Sequence, residues 1–255
     1  MKKINIKKKL KNYGKNKPFD YCIIDNFFDV SDANALEKDF PKYTSRVWHR
    51  YDNKLENKKT LNDWNIFPEN TYNIIRYLNS DEFVDALSKE IGIKLYADPG
   101  LHGGGWHIHG NGGNLNPHLD YSIHPKIKLQ RKLNLIIYLS TDAKISDGGH
   151  LGLWSSNEDG SINKLEKRIF PKFNRAIIFD TTQSSWHGLV STFNSSRGCY
   201  RKSIAVYYLI DPSKNANKRM RALFSPRESQ KNNKEIYNLI KKRAGVNSSI
   251  KVYRK

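Results

Sequence analysis

His118 and Asp120 stand one residue apart in Pro117-His118-Leu119-Asp120-Tyr121, and His187 follows far downstream in Ser185-Trp186-His187-Gly188. Two imidazoles and one carboxylate on one face of an ion are the set that holds non-haem Fe(II). They leave the opposite face open for O2 and a co-reactant. On a strand, side chains i and i+2 share a face. His118 and Asp120 can therefore reach one ion while Leu119 packs the other way. The pair alone is weak evidence, because eight His and sixteen Asp in 255 residues produce about half such a match by chance. A His–Asp pair at a strand end is the plain structural alternative. His187 strengthens the metal reading. It follows the apolar run Ala176-Ile177-Ile178-Phe179 and a polar loop, and a long gap before the third ligand suits strands that face each other across a core.

A cation for an acidic co-reactant comes next. Arg201 lies fourteen residues after His187 and opens Arg201-Lys202-Ser203-Ile204-Ala205-Val206-Tyr207-Tyr208. In a strand Arg201 and Ser203 share a face, and a guanidinium fork beside a hydroxyl suits a carboxylate. The polar stretch 192–200 leaves the register open by one residue, with Lys202 as the alternative anchor. A second Arg-x-Ser, Arg227-Glu228-Ser229, sits in a polar segment with no strand pattern.

These residues need strands to position them. From about 93 to 212, short apolar runs alternate with Gly, Asn and Asp clusters. Strands are expected at 106–108, 117–121, 133–139, 150–154, 176–179, 188–191 and 201–210, the texture of a sandwich, jelly roll or barrel. Upstream, 21–24 reads as a strand. Ser31 is placed to cap a short helix with Ala33, Leu36 and Phe40 on one face, closed by Pro41. A better-marked helix has Ser80 as cap, Asp81 and Glu82 in its first turn, Phe83, Val84, Leu87 and Ile91 on one stripe, and Gly92 as stop. Residues 42–70 show no clear period and carry Trp48, His49, Arg50, Tyr51 and Trp64, an aromatic stretch fit for a loop over a site. After Pro212 the chain is expected to leave the sheet. Residues 230–244 fit a helix with Ile236, Leu239 and Ile240 inside and Gly245 at its end.

The formal net charge is +19, but all of it lies at the ends. Residues 1–17 carry eight lysines and no acid, 213–255 carry thirteen Lys/Arg and two Glu, and 18–212 is neutral. The expected organisation is a basic flexible segment 1–17, one catalytic domain 18–212 with its core at about 93–212, and a basic helical extension 213–255 packed on it. The basic ends read as solvated tails or as a footprint for an acidic partner. No apolar run approaches the roughly 20 residues of a membrane span, and no signal-peptide core follows the N-terminal lysines. Two cysteines, Cys22 and Cys199, do not make a disulfide framework. The expectation is a cytoplasmic protein in a reducing compartment.

Five ordered blocks over 95–212 resemble the 2-oxoglutarate- and Fe(II)-dependent dioxygenases, in particular the prolyl 4-hydroxylase-like branch. They are His118-Leu119-Asp120; Arg131-Lys132-Leu133-Asn134-Leu135-Ile136-Ile137-Tyr138-Leu139; Gly148-Gly149-His150-Leu151-Gly152-Leu153-Trp154; Pro171-Lys172-Phe173-Asn174-Arg175-Ala176-Ile177-Ile178-Phe179 leading to His187; and Arg201-x-Ser203 with its Tyr-rich strand. The resemblance implies an α+β fold, a double-stranded β-helix (jelly-roll) core with flanking helices. It implies Fe(II) on His118, Asp120 and His187, and 2-oxoglutarate with its distal carboxylate on Arg201 and Ser203. Tyr138 stands where the family often adds a hydroxyl to that carboxylate, and Leu151 where an apolar wall is usual. O2 is the oxidant, ascorbate an accessory reductant, and 2-oxoglutarate is decarboxylated to succinate. Asp120 argues for hydroxylation, since related halogenases lack this carboxylate.

The implied substrate is a peptidyl or free amino acid such as proline, or another small metabolite or glycan. Two other readings compete. One is nucleic-acid demethylation by the same chemistry, motivated by the basic ends; against it, Tyr207 stands where those enzymes carry a second arginine. The other is a non-catalytic jelly-roll binding protein, which the complete ligand set opposes. His107 and His109 share a face after Gly103-Gly104-Gly105-Trp106, and belong either to a second metal site or to the pocket mouth. His124 and His150 read as structural, and Arg131 and Arg175 as loop supports. Trp48, Trp106, Tyr121 and Trp186 serve either packing or substrate contact. Specificity is expected in loops 42–70, 100–116 and 155–170.

Overall fold

The computed structural model describes residues 3–245, so 246–255 of the expected basic extension lie outside the described residues. In chain order the first elements are α1 (Ile6–Lys9), β1 (Tyr21–Ile24), α2 (Val30–Lys38), β2 (His49–Asp52), β3 (Glu56–Leu61), α3 (Glu69–Leu78) and α4 (Asp81–Ile91). The β-rich part follows with β4 (Tyr96–Ala97), β5 (Gly105–His109), β6 (Asn114–Leu115), β7 (His118–Leu119), β8 (Gln130–Tyr138) and β9 (Leu151–Ser156). It continues through β10 (Ile162–Ile169), β11 (Arg175–Asp180), β12 (Trp186–Leu189), β13 (Arg201–Ile210) and β14 (Leu223–Phe224), and α5 (Lys234–Ala244) comes last.

The strands form two antiparallel sheets. The larger runs β1-β11-β8-β13-β5-β3-β2, with β4 also on β13 and β6 on β3; the smaller runs β10-β9-β12-β7-β14. This is the expected α+β jelly roll with flanking helices. Its logic is visible on β13 and β8, which are buried on both faces and so show no polar alternation in sequence. Ile204, Val206 and Tyr208 of β13, with Leu133, Leu135 and Ile137 of β8, pack against Ile74, Leu78, Phe83 and Leu87 of the helices. The alternate residues, Arg201, Ser203 and Ala205 on β13 and Asn134 and Ile136 on β8, line a cavity between the sheets. Period-two pleating thus sends apolar side chains to the helices and the chemistry inward.

The helix signals differ in how far they reach. Ser80 caps α4 by accepting from the Phe83 amide, and Gly92 ends it with φ 75°. Helix α2 begins earlier than expected, with Asp29 rather than Ser31 at its N-cap. Where an unstructured stretch 42–70 is expected, the chain forms the β2–β3 hairpin, extending the large sheet, and then α3. Helix α3 buries Thr71, Ile74, Ile75 and Leu78, an i, i+3, i+4, i+7 stripe interrupted by polar residues. The expected loop 155–170 holds β10, paired with β9 through two register shifts.

Two expectations about the ends are corrected. Residues 3–17 do not hang free: Ile6 and Leu10 are buried in the core against α4. After Pro212 the chain returns to the sheet, because Leu223 and Phe224 pair with Leu119 and His118. Helix α5 then buries Ile236, with Leu239 and Ile240 partly covered beside Phe224.

Candidate active site

His118 and His187 are direct register partners on β7 and β12, which brings their rings to 4.3 Å between centroids. The strands can approach this closely because residue 188 is glycine. A Cβ there would lie 2.7 Å from the Asn116 carbonyl oxygen. Asp120 sits one residue beyond the short β7 rather than inside a strand 117–121, yet its carboxylate still turns toward both rings. One ligand atom from each of the three side chains lies within 4.8 Å of the others, and all three residues are buried.

The protonation pattern follows from the second nitrogens. His118 Nδ1 is 3.0 Å from the Asn116 carbonyl and His187 Nδ1 is 2.9 Å from the Ser185 carbonyl. A carbonyl only accepts, so each Nδ1 carries the proton and each Nε2 presents a lone pair. Those Nε2 atoms face the Asp120 carboxylate at 3.5 and 3.8 Å. Three lone-pair donors converge with no proton between them, a set that suits a divalent cation and nothing smaller in charge. Burial first, and then the His118 ring, lower the His187 pKa to about 4, with Asp120 opposing. That leaves His187 a neutral ligand at physiological pH.

Asp120 is fixed by its own surroundings. Arg131 Nη1 lies 3.2 Å from one oxygen, and the Asn134 amide donates to it at 3.3 Å. Burial alone would raise its pKa, but Arg131, and after it the two histidines, hold it well below the usual carboxylate range. Arg131 is therefore no mere loop support. Its guanidinium is sandwiched 3.5 Å from the Tyr121 ring and 3.4 Å from the Tyr207 ring, and it donates to the His102 carbonyl at 2.8 Å. The C-terminal segment closes the site. Phe224 stacks on His118 at 5.3 Å, and Arg219 donates to the Asp120 backbone oxygen at 2.8 and 3.0 Å.

Arg201, at the start of β13, is buried in the same cavity of about 410 Å³. Its Nε donates to the Gly149 carbonyl at 2.8 Å, and its guanidinium lies 4.9 Å from the Tyr138 ring. Among the described residues no carboxylate pairs with it, and burial lowers its pKa. Gly149, at φ 67°, makes room, since a Cβ there would come within 3.1 Å of the Arg201 side chain. Ser203 pairs in register with Tyr138 on β8, whose buried hydroxyl has no hydrogen-bond partner. Leu151 and Leu189, opposite each other on β9 and β12, form part of the wall. Lys202 faces away and pairs with Glu37 at 3.3 Å.

His107 and His109 line the cavity on β5. Among the described residues only His118, Asp120 and His187 form a cluster that could hold a metal ion. Arg175 does support a loop, through Asp25 at 2.6 Å, and His124 Nδ1 accepts two backbone amides. Trp48 and Trp106 belong to the core facing the helices. Lys58, Glu56 and Tyr51 on the β2–β3 hairpin also line the cavity. Tyr51 belongs to the aromatic stretch noted in the sequence, whereas Glu56 and Lys58 lie in a wholly polar run with no apolar alternation to mark them.

Residues 104–209 match the 2OG-Fe(II) oxygenase superfamily. No curated protein matches this sequence. Among solved structures, a Pseudomonas putida prolyl-4-hydroxylase superposes with a TM-score of 0.55 at 13% identity, over 76% of this chain and 94% of that one. A Trichoplax adhaerens prolyl hydroxylase, solved with a hypoxia inducible factor peptide fragment, gives 0.54 at 21% identity, covering 80% and 87%. A Phytophthora capsici prolyl 4-hydroxylase gives 0.54 at 18%, covering 94% and 72%. The fold is thus that of the prolyl 4-hydroxylases, and the matched segment carries both the histidine–aspartate cluster and the buried arginine. The matched segment is similar to the 2OG-Fe(II) oxygenase superfamily, and together with the histidine–aspartate cluster and the fold it supports a dioxygenase that uses Fe(II) and 2-oxoglutarate.

Proposed function

We propose that this protein hydroxylates a C–H bond of a free or peptidyl amino acid, proline-like, or of another small substrate, with conversion of 2-oxoglutarate to succinate. The observation that carries the reading is the convergence of two imidazoles, each with its Nδ1 on a backbone carbonyl, and a carboxylate whose ligand atoms lie within 4.8 Å. His118, Asp120 and His187 hold the iron. When bound, it supplies the redox chemistry that couples O2 reduction to oxidation of the substrate. Everything else is the work of this chain's residues. The Asn116 and Ser185 carbonyls fix the two tautomers, and Arg131 with Asn134 keeps Asp120 ionised and aimed. Arg201 and Ser203, with the Tyr138 hydroxyl, bind the distal carboxylate of 2-oxoglutarate. That anion would complete a buried guanidinium which otherwise lacks a counter-charge. Leu151 and Leu189 exclude water from the same end of the cavity.

The prolyl hydroxylase from Trichoplax is a peptide binder, which supports an amino-acid-type substrate here only by likeness of fold. No helix of the described residues is long and apolar enough to cross a membrane. Two unbridged buried cysteines support a reducing, cytoplasmic setting, and residues 3–245 act as one catalytic domain. The test is succinate formation with ferrous protein, together with Mn(II) binding followed by electron paramagnetic resonance. His187→Ala should abolish both. Undiminished Mn(II) binding in that variant would remove His187 from the ligand set.

A further inference from the structure

The cavity holds more positive charge than the cosubstrate chemistry uses. Lys58, Arg131, Arg201 and Arg243 line it against two carboxylates, Glu56 and Asp120. Fe(II) and 2-oxoglutarate bring equal and opposite charges, so their arrival leaves the surplus in place. Both carboxylates already have close cationic partners. Asp120 faces Arg131 at 3.2 Å, and Glu56 pairs with Arg243 at 2.5 Å.

Lys58 is left short. Its ammonium is 3.8 Å from the Glu56 oxygen, beyond hydrogen-bonding reach, and 5.2 Å from the Tyr51 ring. It makes no hydrogen bond to any described residue, although its side chain is only 12% exposed. The sheet register explains why it points inward. Lys59 pairs with Ile108 and turns the other way, its ammonium over the Tyr43 ring at 3.9 Å. Lys58 is one residue off and therefore shares the cavity face with His107 and His109. His109 adds an independent observation. It is 2% exposed, and neither of its ring nitrogens has a hydrogen-bond partner. Burial first, and then the charges of Arg201 and Lys58, hold its pKa well below the ordinary value, so it is a neutral imidazole with an N–H to give. A largely covered ammonium with three donors beside a buried imidazole suits an anion.

We propose that the primary substrate is a small anion, whose carboxylate or phosphate group is bound by the Lys58 ammonium and the His109 ring on the floor formed by β3 and β5. This rests on the functional reading above and narrows it. A neutral internal residue of a peptide does not complete this site, whereas a free amino acid or another small acid does.

The test uses the full-length protein, metal-free and also loaded with Mn(II) and saturated with 2-oxoglutarate. Inorganic phosphate and acetate serve as calorimetric probes. The wild type should bind one of them in both forms, and the tighter probe identifies which anion the site takes. Lys58→Met should weaken that probe by about tenfold or more, the loss of one charged hydrogen bond, while Lys58→Arg keeps it within about threefold. Equal affinity in Lys58→Met and wild type would overturn the proposal, as would failure of the wild type to bind either probe. So would a matching loss of 2-oxoglutarate affinity in Lys58→Met, because the lysine would then belong to the cosubstrate. If instead the wild type fails to bind Mn(II) or 2-oxoglutarate, the functional reading falls. The metal-free phosphate and acetate arm still decides whether Lys58 holds an anion.

Discussion

Arg131→Met separates what holds Asp120 in place from what the metal adds. The substitution keeps an unbranched side chain between Tyr121 and Tyr207 but removes the guanidinium 3.2 Å from the carboxylate. Both partners are almost fully buried, with side chains 2% and 9% exposed, so solvent cannot take over. Removing one member of a buried pair costs about 3–5 kcal/mol, because the other charge is stranded. Loss of the two ring contacts adds about 1–2 kcal/mol. In metal-free protein the sum is a large part of a typical stability of about 5–15 kcal/mol. A divalent ion on Asp120 replaces the missing counter-charge, so in metal-saturated protein the loss should shrink to the ring-contact share. Urea unfolding in chelator and in saturating Mn(II) measures both. The expected result is a metal-induced stabilisation larger in Arg131→Met than in wild type by about 2 kcal/mol or more; folding only with metal is the extreme of the same result. Equal losses in the two conditions would refute the reasoning, since the ion would then not meet Asp120.

Other outcomes follow from the same geometry. Arg201→Gln should raise the 2-oxoglutarate concentration needed for half-maximal succinate formation by about tenfold or more, with Mn(II) affinity unchanged within about twofold; loss of both together would argue against a separate anchor. Metal-free protein should lose stability as pH falls from about 6.5 to about 4. His187 is buried neutral with its pKa at about 4, while the unfolded chain takes up its proton near 6.5, and the difference is about 3 kcal/mol. A urea midpoint that does not move between pH 7 and pH 5 would contradict this. Gly188→Ala should separate β12 from β7 at the Asn116 backbone and weaken Mn(II) binding by about tenfold or more; wild-type binding would mean that the close approach is dispensable.

The sequence made the centre of the molecule legible and left its borders obscure. Arg201 heads a strong apolar run, and β13 begins at Arg201 and ends at Ile210. His118 and His187, on the short β7 and β12, were legible from residue type and spacing. Arg131 was visible as a residue but not as a partner of Asp120, because that contact joins β8 to the turn after β7, and no local pattern encodes it. The β2–β3 hairpin escaped because His49–Asp52 is largely exposed and Glu56–Leu61 is a charged and polar run with a single apolar residue at its end. Their burial comes from the cavity rather than from hydrophobicity. Helix α3 did carry its stripe, but Asn70, Asn73 and Arg76 diluted it.

The return of the chain at Leu223 and Phe224 has a consequence for the order of assembly. The first ligand strand, β7, is complete by residue 119, but its outer neighbour, β14, is made more than a hundred residues later. A polypeptide emerging during synthesis therefore holds His118, Asp120 and His187 well before Phe224 can lie on the first ring and Arg219 can brace the second ligand. Until then the cluster has an open flank, and the oxidising centre is not finished.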